Sequence, residues 1–89
     1  MSVYSISYDL NAPGKKYDEL YNQIKDFNGW LHLLDSTWLV STNLTADQVF
    51  QRLTPYLDNN DSVFVSKVNA NQYAGWLTQE KWDWIRQHA

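Results

Sequence analysis

The residue best placed to do chemistry is Asp9, which closes the segment Ser5-Ile6-Ser7-Tyr8-Asp9-Leu10 just ahead of Asn11-Ala12-Pro13-Gly14 and the pair Lys15-Lys16. A carboxylate at a strand end beside a loop can hold a hard cation or take a proton, and two lysines near a helix start can meet a phosphate. The same carboxylate can equally cap the turn over Asn11 to Gly14 through local hydrogen bonds. Other chemistry is sparse. His32 and His88 stand in unrelated places, with no carboxylate or second histidine at ligand spacing, and no Ser-His-Asp set or glycine-rich phosphate loop is present. With no cysteine, thiolate metal sites, disulfides and redox chemistry are excluded.

Five Trp, six Tyr and three Phe in 89 residues form an unusual share of flat apolar surface that must be buried or must bind something. Tyr73, Trp76, Trp82 and Trp84 lie together near the C-terminal end of the sequence, where rings can stack bases, anchor a protein partner or complete a small core. Seven Lys and Arg against ten Asp and Glu give a formal charge of -3, so strong non-specific nucleic-acid binding is not expected. Arg52, Lys67, Lys81 and Arg86 are too scattered to form a patch.

The elements that position these residues follow from periodicity. Tyr4, Ile6, Tyr8 and Leu10 alternate with Val3, Ser5, Ser7 and Asp9, which predicts a first strand. Tyr17, Leu20, Tyr21, Ile24 and Phe27 recur at helical spacing and predict a helix from about Lys15 to Phe27, stopped by Asn28-Gly29. A hairpin follows, Trp30 to Leu34 and Thr37 to Ser41, turning at Asp35-Ser36. Thr45 and Gln48 have the spacing of a capping box that opens a second helix, with Val49, Phe50, Leu53 and Leu57 inward, and Pro55 ends or kinks it near Leu53. Ser62 to Val68 reads as a fourth strand after the polar break at Asp58 to Asp61, and Thr78 opens a short terminal helix. No leader or apolar span long enough to cross a membrane is apparent, so a soluble cytoplasmic protein without membrane contact is expected.

The order β-α-β-β-α-β predicts a single α+β domain of ferredoxin-like arrangement, with a core over about residues 3 to 68 and a Trp-rich tail over 69 to 89. Ile6, Tyr8, Leu31, Leu33, Val63 and Val65 are expected to face the helices. Ser5, Ser7, Asp9, Trp30, His32, Leu34, Phe64, Ser66 and Val68 are expected on the opposite face. That face is too apolar to stay bare, so the tail, a second subunit or a ligand should cover it.

A βαββαβ chain of this length whose first strand ends Ile6-Ser7-Tyr8-Asp9 resembles the Cas2 family of CRISPR-associated proteins and its relatives, including the VapD-type ribonucleases. Asp35-Ser36-Thr37-Trp38-Leu39-Val40 stands where that family has its Ser-aromatic third strand, and the resemblance spans roughly residues 3 to 68. It implies a homodimer in which Asp9 faces its symmetry mate and the pair holds a divalent metal, Mg²⁺, for hydrolysis of RNA or DNA. Some relatives instead serve as dimeric scaffolds for nucleic acid or protein, a role for which Trp76 and Trp84 are the candidate partner-binding residues and Lys15 and Lys16 the candidate phosphate contacts. A shared fold put to an unrelated use is the third class of function.

Overall fold

The computed structural model describes residues 1–89. The N-terminal alternation forms β1 (Ser2–Asp9), followed by α1 (Asp18–Ile24), the hairpin β2 (Gly29–Leu34) and β3 (Thr37–Thr42), α2 (Ala46–Leu53), β4 (Ser62–Val68) and α3 (Gln79–His88). The chain is a small α+β protein with one four-stranded sheet in the order β2-β3-β1-β4, every neighbouring pair antiparallel. It follows that β1 runs parallel to β2 with β3 between them, and β3 parallel to β4 with β1 between them. Each crossover therefore skips a strand, which leaves β1 and β3 at the centre.

One sheet face packs on α1 and α2. Tyr4, Ile6, Trp38 and Val40 from the central strands meet Leu20, Ile24 and Phe27 from the first helical segment and Val49 and Leu53 from α2, all buried. Tyr8, Val63 and Val65 pack against this cluster, as their alternation requires. The start of α2 is secured by a complete capping box: the Thr45 hydroxyl accepts from the Gln48 N–H at 3.2 Å, and the Gln48 side chain accepts from the Thr45 N–H at 2.9 Å. Pro55 ends α2 at Leu53, and the chain continues as one tight 3₁₀ turn, Thr54–Tyr56.

The first helix is shorter than its apolar stripe predicts. Lys15 and Lys16 belong to the preceding loop, where the Lys15 N–H bonds back to the Ala12 carbonyl, and Tyr17 only precedes the helix. At the other end, the Asp26 and Phe27 N–H groups bond three residues back, to Gln23 and Ile24. The helix tightens there before the chain turns into β2. Phe27 is buried all the same, because the tightened turn delivers it to the same core.

The second face is covered by the tail, but only in part. Ile85 of α3 is buried with Val3 and Leu39, and Leu31, Leu33, Val68, Tyr73, Leu77, Trp82 and Trp84 pack around them. Lys81 donates to the Leu33 carbonyl at 2.7 Å, while His88 lies beside Gly29, so α3 runs antiparallel to β2. A Cβ on Gly29 would sit 3.3 Å from Ser41 Cβ and 3.4 Å from His88 Nε2, so glycine is what lets the end of α3 come this close.

The predicted orientation of β2 is reversed. Trp30 and His32 point to the α1 side, paired with Val40 and Trp38, while Leu31 pairs with Leu39 and faces the tail together with Leu33. A one-residue change of register moves every side chain to the other face, and an apolar strand on an edge does not specify its own choice. Here the tail takes the leucines, and Trp38 offers the other pair a ring to stack on. A break in register between His32 and Leu34 then returns Leu34 to the tail side, opposite Thr37.

Candidate functional site

Asp9 ends β1 opposite Ser62 and is exposed. Two clefts meet at it. One, of about 350 Å³, is lined by Ser7, Asp9, Ser36, Thr37, Ser62 and Phe64 among others. The other, of about 450 Å³, is lined by Tyr8, Asp9, Leu10, Asn11, Tyr21, Asp35 and Ser36. The β2–β3 turn thus brings Asp35 and Ser36 to the rim that Asp9 occupies, with the Tyr8 N–H bonded to the Ser36 carbonyl at 3.1 Å. Carboxylate and hydroxyl oxygens of this kind suit a hard cation such as Mg²⁺. Within one chain, however, no three His, Asp or Glu side chains converge as a ligand set.

Asp9 does not cap the turn that follows it. Asn11 Nδ2 donates to the Asp9 main-chain carbonyl at 3.3 Å, leaving the carboxylate aside. The turn is held instead by Asp61, from the segment read as a polar break. Asp61 Oδ1 accepts from the Asn11 N–H at 2.7 Å and from the Tyr17 hydroxyl at 2.6 Å, and Oδ2 accepts from the Asp58 N–H at 2.8 Å. The Tyr17 hydroxyl in turn accepts from the Ala12 N–H, and Asn11 Nδ2 also reaches the Asn60 carbonyl. One carboxylate therefore latches the β1–α1 loop to the α2–β4 loop. Partial burial raises the Asp61 pKa, but the three donors and the nearby Lys15 charge outweigh it and leave the net shift downward. Tyr17 moves the other way, raised by desolvation and by its bond to Asp61. Sequence reading missed this latch because its partners lie 50 and 44 residues away.

Lys15 reaches toward that latch, with its ammonium 5.2 Å from the Tyr17 ring centre, and Lys16 is exposed beside it. Neither is part of a helix terminus. Along the other side of the rim runs a tract of rings. His32 stacks on buried Trp38 with centroids 4.0 Å apart and planes within 4°, and Tyr21 stacks on Trp38 at 6.0 Å. Trp30, itself exposed, tilts over Trp38 at 5.6 Å, and the Lys25 ammonium lies 5.4 Å from the Trp30 ring centre. The Trp38 indole donates to the Tyr8 hydroxyl at 2.9 Å, and His32 Nε2 lies 3.2 Å from the Asp35 carbonyl. Burial raises the Tyr8 pKa, the Trp38 donor opposing it, so the phenol stays protonated through the neutral range.

The tail rings divide. Trp84 is partly buried and stacks on His88 at 4.0 Å, and Tyr73 and Trp82 pack with the second core. Trp76 is fully exposed, at 101 %, beside an apolar groove of about 290 Å³ lined by Leu33, Leu34, Val68, Tyr73 and Trp82 among others. Phe64 at 69 % and Leu34 at 54 % continue this apolar surface over the part of the sheet that α3 leaves open. No protein-family model matches the chain, and no solved structure matches it. No helix is long and apolar enough to cross a membrane.

Proposed function

We propose that this chain is a Cas2-like, ferredoxin-like protomer that works as a homodimer and hydrolyses phosphodiester bonds of RNA or DNA with the help of Mg²⁺ at Asp9. The observation that carries the reading is that Asp9 emerges on the sheet face that α3 only half covers, next to exposed Phe64. Ser7 and Phe64 are cross-strand partners and Asp9 and Ser62 the next such pair on the same face. A two-fold axis through the open half would therefore bury Phe64 and Leu34 against their copies and bring two Asp9 carboxylates toward each other. The strand order, with two split crossovers, supports the fold assignment.

The dimer supplies what one chain lacks. Asp9 from each protomer would hold the cation, with the Ser36 and Ser62 hydroxyls and Asp35 on the rim to order its water shell. Bound there, Mg²⁺ would polarise the phosphoryl oxygens and make a coordinated water more acidic. Water adds to phosphorus, the bridging P–O bond breaks, and the leaving oxygen takes up a proton. Lys16, exposed in the adjacent loop, would meet a flanking phosphate.

The test combines mass with cleavage. Sedimentation equilibrium of the full chain should give a dimer, and labelled RNA or DNA should be cut only with a divalent ion present. Asp9→Asn should remain dimeric without cutting, and Phe64→Ser should lose both the dimer and cleavage. A stable monomer, or cleavage unchanged in Asp9→Asn, overturns the mechanism. Fully exposed Trp76 beside its apolar groove favours one other reading, a non-catalytic dimeric module for a nucleic-acid or protein partner. There, Trp76→Ala would abolish binding while Asp9→Asn would leave it intact.

A further inference from the structure

The groove beneath the tail is a concavity between the sheet, α3 and the segment that carries Tyr73 and Trp76. Buried Leu39 and Ile85 form its floor, Leu33, Val68, Tyr73 and Trp82 its sides, and Ser5 supplies its one aliphatic hydroxyl. No residue that lines it is charged. Its volume of about 290 Å³ is about twice that of an apolar protein cavity that takes one benzene ring. The charges stand at the rim. The Lys81 ammonium donates to the main-chain carbonyl of Leu33 at 2.7 Å and has two further protons to share. The Arg86 guanidinium lies 5.8 Å from the ring centre of Trp82. Glu80 and Asp83 on the same helix are exposed, and Asp83 accepts from the Gln79 side chain at 2.8 Å. An uncharged trough with cations at its rim is complementary to an apolar body that carries an anionic end.

We propose that this groove binds a small anionic amphiphile, a straight-chain carboxylate of about ten carbons, with its chain on Leu39 and Ile85 and its carboxylate at Lys81. The proposal is independent of the Asp9 reading, because the groove and the two clefts at Asp9 share no lining residue. Sites for small molecules are concave and mostly apolar, with a few polar groups that fix orientation, whereas protein partners meet broad surfaces. The affinity comes from the chain, since each buried methylene contributes about fourfold. The orientation comes from Lys81. A carboxylate held at the rim keeps its contact with water, so its charge is not desolvated. An ion pair exposed in this way adds at most about fivefold, and salt screens it.

The experiment is isothermal titration calorimetry of the full chain with hexanoate, octanoate, decanoate and dodecanoate, each below its micelle-forming concentration. One molecule should bind per chain. Affinity should rise about fourfold for each added methylene and stop rising at about ten carbons, where the groove is full. At low salt, decanoate should bind up to about fivefold more tightly than decanol, and added salt should close the gap. Lys81→Gln should erase that difference while leaving the binding of decanol unchanged. Ser5→Leu puts a larger side chain beside Leu39, its cross-strand neighbour, and should weaken decanoate about tenfold. Tryptophan emission should move to shorter wavelength as the ligand covers Trp82 and the fully exposed Trp76. Absence of binding, several molecules per chain, affinity that keeps rising beyond the length that fills the groove, or equal affinity for decanoate and decanol overturns the proposal. Stoichiometry and the length series are read on the natural chain, so they decide the matter even if Ser5→Leu fails to fold.

Discussion

Replacing Asp61 by Asn tests how the loops around Asp9 are held. The substitution keeps the side-chain shape but removes the charge and puts an amide N–H₂ where one carboxylate oxygen stood. Either the Asp58 N–H or the pair formed by the Asn11 N–H and the Tyr17 hydroxyl then faces a donor. Hydrogen bonds to a charged group contribute about 1.5–3 kcal/mol each when well buried. Asp61 is only partly buried, so water replaces part of what is lost, and the expected cost is about 1.5 kcal/mol in total. For a domain of this size that lowers Tm by roughly 8 °C. The assay is thermal unfolding followed by near-UV circular dichroism, repeated across pH. Because the folded Asp61 pKa is lowered, its contribution is complete above the unfolded carboxylate value of about 3.9 and is lost as pH falls through the folded value. The difference between the natural chain and Asp61→Asn should therefore be full at pH 6 and shrink as the pH falls below the unfolded carboxylate value. Tyr17, raised in the fold, sets the other limit: its share is present below about pH 10 and is lost as pH rises through its folded value. A Tm shift under about 2 °C at neutral pH, or one that does not shrink in acid, would mean that the latch does not hold the loops.

The other predictions concern the frame around the site. Ile85→Ala removes the one buried anchor of α3 and should cost about 2–4 kcal/mol in denaturant unfolding. A loss below about 1 kcal/mol would show that α3 is loosely docked. Thr45→Ala removes the hydroxyl half of the capping box, leaves the backbone N–H its bond to Gln48, and should cost about 1 kcal/mol with the denaturant m-value unchanged. Gly29→Ala presses a methyl group on Ser41 and His88, and faster amide exchange confined to the last turn of α3 is the expected signature. Uniform exchange throughout the chain would contradict that contact.

Several elements were legible from local chemistry alone. The alternation through Tyr4, Ile6 and Tyr8 produces β1 and turns these three to the α1 and α2 side, while Val3 faces α3. Thr45 and Gln48 open α2 and Pro55 closes it, each by satisfying or removing backbone hydrogen bonds within a few residues. The placement of Asp9 at a strand end beside a loop was legible for the same reason. Its freedom from the turn was not, since the carboxylate that performs that task lies on the far side of the chain, at Asp61.

What the tertiary structure alone decided are the choices on which local sequence is silent. Trp30-Leu31-His32-Leu33-Leu34 offers apolar atoms on both faces, so the orientation of β2 waits on Trp38 on one side and α3 on the other. The tail rings could have been core, interface or binding site, and packing assigned Trp84 to the second core and left Trp76 outside it. The amino-acid sequence by itself determined which segments are strands and helices, because those depend on periodicity and caps within a turn or two. The faces, the latch and the rings packed around Trp38 depend on contacts between residues distant along the chain, whose free energy exists only once the sheet has formed.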